Sequence, residues 1–299
     1  MNPRYAHYFL LVFGAASAGC AAPVSSPDAG SRLPEPVPIR AARAGPGPAV
    51  APDDDGGAED SEALAKKLAN PVASLISVPM LFNFDGDIGP DDNGKRTSLN
   101  LQPVVPFSLN DDWNLISRTI VPIISQSDVF AGAGDQFGLG DTVQALFFSP
   151  AQSEPIWGVG PVFLLPTATE DELGTKKWGL GPTGVALKQD GPWTYGALAN
   201  HIWSFAGDDD RPEVNATFVQ PFVSFTTADA FTYALQTEST YDWQADEWSV
   251  PIYAEVSRVI SIGGQLISIG AGVRYWAHTP DAGPEGSGFR FVIVPLFPR

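Results

Sequence analysis

Residues 234–258 read ALQTESTYDWQADEWSVPIYAEVSR, and the second half of this stretch separates two kinds of protein. Trp248, Val250, Ile252, Ala254 and Val256 occupy alternate positions, with Ser249, Pro251, Tyr253, Glu255 and Ser257 between them. A period of two is the mark of a β-strand whose two sides meet unlike surroundings. In a soluble sheet the oily set faces a protein core and Glu255 faces water. In a closed membrane barrel the assignment inverts, so that the oily set meets lipid and Glu255 points into a lumen.

The remainder of the chain favours the barrel. Apolar stretches cut by turn clusters fall near 73–84, 97–109, 113–126, 139–149, 155–168, 176–188, 192–205, 213–227, 230–242, 247–260, 265–278 and 287–297, which predicts an all-β, closed antiparallel transmembrane β-barrel of about twelve strands. The connections sort by length. Those after the odd strands are long and polar, for example DGDIGPDDNGKR (85–96) and HTPDAGPEGSG (278–288). Those after the even strands are short, for example NDD (110–112), QDG (189–191) and TAD (227–229). Short turns at one end and long loops at the other are the habit of outer-membrane barrels, the short set being periplasmic. The 8 tryptophans repeat the division. Trp113, Trp157 and Trp193 follow short turns, whereas Trp178, Trp203, Trp243, Trp248 and Trp276 stand beside long loops, giving two aromatic girdles where lipid meets headgroup.

Several function classes are set aside by composition. The formal charge is -17 with only 17 Lys and Arg, so no nucleic-acid partner is expected. No segment after the N-terminus approaches about 20 consecutive apolar residues, which excludes helical spans. Residues 1–20 have the layout of an export signal, with the apolar run YFLLVFGAA (8–16) behind Arg4 and small residues at 16–18. Ser17-Ala18-Gly19-Cys20 resembles a bacterial lipobox, with Ser17 where that motif usually carries Leu. Cys20, the only cysteine, is thus a lipidation candidate, ordinary signal cleavage being the other reading. Residues 21–61, rich in Pro, Ala and Asp, read as a disordered periplasmic tether, and 62–299 as the barrel. Within the latter, EALAKKLANP reads as a short helical start ended by Pro71.

Polar positions on the alternating faces supply the candidate site. Arg118, Glu238, Glu255, Arg274 and Arg290 fall on polar faces and are expected to line the lumen, because an unpaired Arg at the bilayer midplane costs roughly 2–4 kcal/mol. They either bind a passing solute or neutralise one another as a stiffening plug. Pro79, Pro103, Pro122, Pro221, Pro251 and Pro295 lie inside proposed strands, where bulges are expected to accommodate them. An outer-membrane lipase needs a Ser and a His on one face, but His201 and Ser204 are three apart and point to opposite sides of a regular strand. No catalytic residue, metal site or cofactor is expected. Asp85, Asp87, Asp91 and Asp92, like Asp208 to Asp210, read as solvated loop rather than as a calcium site. The Gly-x-Gly repeats at 138–140, 158–160 and 179–181 read as close backbone approach, since no helix follows them.

Several longer stretches carry a family resemblance: ANPVASLISVP (69–79), WNLISRTIVPII (113–124), GVGPVFLLPTAT (158–169) followed by LGTKKWGLGPTGVAL (173–187), and IWSFAGDDDRPEVNATFVQPF (202–222). They resemble the bacterial outer-membrane "transporter" family associated with the MetA pathway of phenol degradation, some of whose members carry neuromedin names. The resemblance implies a channel or facilitator for passive passage of small organic, aromatic or hydrophobic molecules. A structural or surface-interaction barrel is the alternative function. The implied location is the bacterial outer membrane with the barrel termini in the periplasm, and the implied partners are membrane lipids, lipopolysaccharide, the barrel-insertion machinery and a small-molecule solute.

Overall fold

The alternation at 247–257 runs right around the molecule. The computed structural model describes residues 55–73, 75–130, 132 and 134–297 of the 299. The signal segment, Cys20 and most of the 21–61 tether lie outside the described residues. Twelve antiparallel staves form the wall. The first comprises Ile76–Ser77 and Met80–Ile88, the second Gly94–Leu101 and Val104–Ser108, the third Trp113–Ser127, and the fourth Asp135–Leu139 and Thr142–Pro150. The fifth is Ile156–Leu165, the sixth Lys177–Asp190, the seventh Trp193–Gly207, and the eighth Asn215–Thr226. The ninth comprises Phe231–Thr237 and Ser239–Asp242, and the last three are Glu247–Ile262, Gln265–His278 and Ser287–Phe297. Each stave pairs with the next, and the twelfth returns to the first with Phe297 opposite Ile76 and Arg290 opposite Asn83. Closure leaves no unpaired edge.

Four staves are interrupted once, and proline explains most of the breaks, because it has no N–H for the ladder. Pro79 and Pro103 occupy the gaps in the first and second staves. Pro122 faces the gap in the fourth, where its carbonyl accepts the Gly140 N–H. Pro251 lies at a bulge against the eleventh stave and opposite the gap in the ninth. Pro221 and Pro295 stay in register, opposite Ala197 and Ile267. The Gly-x-Gly positions are close approaches: a side chain on Gly160 would run into the Leu146 carbonyl, and one on Gly181 into that of His201.

The oily set of the tenth stave looks outward. Trp248, Ile252 and Val256 are exposed, as are Tyr233, Leu235, Val273, Tyr275, Phe289 and Phe291 on the ninth, eleventh and twelfth staves, while Tyr253 is fully buried within. A belt of exposed apolar side chains around a closed wall is the surface that a hydrocarbon solvent selects. Seven tryptophans lie on the outer face at its two rims. Trp113 meets Trp157 edge to face at the short-turn rim, and Tyr241 packs between Trp243 and Trp248 at the long-loop rim. The eighth corrects the sequence reading: Trp276 is only 6% exposed and faces inward, its ring 4.9 Å from the Arg274 guanidinium carbon. Trp276 shares its parity with Arg274, and position near a loop is the weaker guide.

The helix is longer than EALAKKLANP, running over Asp55–Leu68. It stops because Pro71 disfavours helical geometry at Asn70, whose side chain instead accepts the Val72 N–H at 3.0 Å. Leu64, Ala65 and Leu68 form one face. That face joins an apolar cluster with Ala230, Val259, Val294 and Leu296 at the short-turn end of the wall, and Gln189 donates to the Lys66 carbonyl at 2.8 Å. The helix therefore occupies the short-turn mouth of the barrel.

Candidate functional site

Inward positions fall into two sectors. On staves three to eight many are apolar: Phe147, Val162, Leu164, Val185, Leu198 and Ile202 are buried in one cluster that Val72 also joins. These side chains are buried from solvent, so the cluster is packed like a protein core. On staves nine to twelve and one, the inward positions carry a cluster of paired charges.

Arg290 is the centre of the ionic sector and is 1% exposed. Its Nη1 and Nη2 donate to the two carboxylate oxygens of Glu238 at 2.8 and 3.0 Å, Nη1 also reaches Glu255 at 3.1 Å, and Nε donates to Asn83 Oδ1 at 2.6 Å. The bidentate fork fixes both groups in plane. The Tyr253 ring lies beneath, 3.8 Å from the Arg290 guanidinium carbon, and the Tyr253 hydroxyl accepts a hydrogen bond from Arg274 Nη1 at 3.1 Å. Arg274 in turn is ion-paired with Asp85. Charges removed from water require this degree of pairing.

The five sequence candidates are thus placed as follows. Glu238, Glu255 and Arg290 meet directly; Arg274 joins them through Tyr253, and its carboxylate partner is Asp85 rather than Glu255 on the neighbouring stave. Arg118 stands apart, donating through Nη2 to Gln102 Oε1 at 2.9 Å. Asp85 is a second correction. It is not part of a solvated loop but a buried member of the first stave. Asn83, Asp85 and Tyr253 were missed as site residues. The signal for the first two was present, since Phe82 and Phe84 alternate with Asn83 and Asp85, one step past the point where the acidic run suggested a loop.

Two cavities adjoin Arg118. The larger, about 240 Å³, is bounded by Leu68 and Pro71 of the N-terminal segment, by Phe222 and Val259, and by polar groups that include Gln236 and Glu255. The smaller, about 140 Å³, shares Leu68, Pro71 and Arg118 and is open to Lys67. Both flank the segment that follows the helix.

Near the long-loop end, Asp141 ties down the 166–176 loop by accepting from Thr175 N and Oγ1, both at 2.6 Å, and from Ala168 N at 3.2 Å. Buried Lys177 donates to Glu213 at 2.6 Å. Ser204 points inward and donates to the other Glu213 oxygen, whereas His201 points outward, its Nδ1 2.7 Å from Thr217 Oγ1 and its ring 4.0 Å from that of Trp203. Ser204 and His201 are therefore on opposite faces of one stave. Among the described residues no cluster of His, Cys, Asp or Glu has a metal-binding arrangement.

No protein-family model matches the chain, and no curated protein matches its sequence. Among solved structures, it is similar to the COG4313 outer membrane channel from Pseudomonas putida F1, with a TM-score of 0.59 and 15% identity over 75% of this chain and 96% of that one. The NanC porin aligns with a TM-score of 0.43 and 13% identity over 75% of this chain and 100% of that one. The likeness to the first is one of fold: this chain has the fold of an outer-membrane barrel.

Proposed function

We propose that the protein is an outer-membrane channel for passive passage of small organic molecules, with its long loops outside the cell and both barrel ends in the periplasm. The single observation that carries this reading is the mixed interior: a cavity of about 240 Å³ lined both by polar groups such as Gln236 and Glu255 and by Leu68, Phe222 and Val259. That volume is below the roughly 300–1,000 Å³ of sites for drug-sized ligands, so it suits a solute of one ring or a short chain. An apolar body has somewhere to lie, and a polar group has partners. An aromatic solute, as the resemblance to the phenol-degradation family implies, fits such a lining.

A structural barrel is the second reading, favoured by the helix in the short-turn mouth and by the paired charges above it. Planar-bilayer recording on purified protein separates the two. A channel gives discrete conductance steps, and Glu255→Gln or Arg274→Gln changes the reversal potential in a salt gradient. A structural barrel is silent in the native and substituted forms alike.

A further inference from the structure

We infer that the larger cavity is a binding site for a small organic carboxylate, with Arg118 as the group that receives the anion. The inference deepens the channel reading and rests on it only for the solute's onward passage. Each carboxylate of the ionic network is already engaged: Asp85 by Arg274, and Glu238 and Glu255 by Arg290. None remains for Arg118. Its hydrogen-bond partner is the neutral Gln102 amide; Glu238 acts on it only through space, and among the described residues no carboxylate lies within ion-pair distance of it. A guanidinium inside a barrel whose hydrogen-bonded acceptor is neutral, and whose nearest carboxylate is already committed to Arg290, is under-compensated.

Arg118 is also the charged side chain that borders both cavities. Lys67 borders the smaller one, so a second cation lines that cavity together with Arg118. Glu255 borders the larger cavity as well, but its carboxylate is drawn to Arg290 at 3.1 Å. The planar fork of arginine matches a carboxylate in two parallel hydrogen bonds. The apolar lining selects against a bare inorganic anion, which has no body to bury there. A carboxylate on a single ring or short alkyl chain satisfies both halves of the site.

The test is equilibrium binding of benzoate to the full detergent-purified chain by titration calorimetry, with benzamide as the uncharged counterpart and inorganic phosphate as the bare anion. Benzoate is expected to bind about tenfold or more tightly than either, since a hydrogen-bonded charge contributes about 1.5–3 kcal/mol. Arg118→Gln lowers benzoate affinity about tenfold and leaves benzamide unchanged. Gln102→Glu does the same by neutralising Arg118 in place, which keeps the test decisive if heat-modifiable mobility shows that Arg118→Gln does not close its barrel. Equal binding of benzoate and benzamide, no benzoate binding, or variants that bind as the native chain does would each overturn the site. Binding to a protein that is silent in bilayers overturns the channel and leaves the site. Conductance without benzoate binding does the reverse.

Discussion

Replacing Arg290 by methionine tests whether the barrel interior is dry where the charges meet. The guanidinium makes four charge-assisted or polar hydrogen bonds, two to Glu238 and one each to Glu255 and Asn83, and covers the Tyr253 ring. At about 1.5–3 kcal/mol for each bond involving a charge, four would sum to roughly 6–12 kcal/mol. That figure is too large, because both carboxylates retain some access to water, with side-chain exposures of 11% and 16%. Breaking a buried pair while leaving its partner behind costs about 3–5 kcal/mol, and this is the loss expected for Arg290→Met. Removing the stranded charges as well, in Arg290→Met with Glu238→Gln and Glu255→Gln, should return stability to within about 1–2 kcal/mol of the native barrel. Urea unfolding in lipid vesicles, followed by tryptophan fluorescence and gel mobility and extrapolated linearly, measures both differences. A loss below about 1 kcal/mol for Arg290→Met is the behaviour of an exposed pair. It would refute the claim that this sector is desolvated, as would a triple variant no more stable than the single one.

Three further outcomes follow from other parts of the wall. Lipids brominated near the headgroup should quench the fluorescence of the rim tryptophans, while Trp276→Phe leaves the intensity lost to quenching unaltered; a marked fall in that quenched intensity in the variant would place Trp276 outside. Glu213, in the loop after the seventh stave, has its carboxyl held below the usual carboxylate range by hydrogen bonds from Lys177 and Ser204. A lowered folded-state value means that this contact is in place above the unfolded value of about 4.3 and lost as pH falls through the lower one. Hydrogen exchange over 208–214, corrected for intrinsic rate, should therefore hold steady from pH 7 to about 5 and quicken only below about 4; equal protection at pH 3 and pH 7 would count against it. Gly181→Val should prevent barrel closure, seen as loss of heat-modifiable mobility, because its Cβ meets the backbone carbonyl of His201 rather than a movable side chain.

The fold was largely legible because its signals are local. Alternation over the tenth stave needs only neighbouring residues to be read, and the same holds for Phe289, Phe291, Ile293 and Phe297 in the twelfth. Proline positions foretold where the ladder breaks, although Pro221 and Pro295 are absorbed without a gap. The two errors have one origin. Asp85 and Trp276 were judged by the company they keep in sequence, an acidic run and a loop, when parity already placed both on the inner face. Parity itself could not say that staves three to eight carry an apolar cluster on their inner face, since Leu198 and Ile202 look like lipid-facing residues until the stave is phased by its neighbours.

What the sequence determined alone is the period of two, the sorting of turns by length and hence a closed wall with an oily outside, since each depends on residues within one stave or one turn. What the tertiary structure decided is which inward groups meet. Arg290 lies 207 residues from Asn83 and 52 from Glu238, and these distances collapse only when the twelfth stave closes on the first in one particular register. Alternation tells a side chain to face inward but not how far along the axis it stands. Ion pairing falls off within a few ångströms, so the choice of Asp85 for Arg274, and of the neutral Gln102 rather than an acid within ion-pair distance for Arg118 among the described residues, was made by stagger and closure.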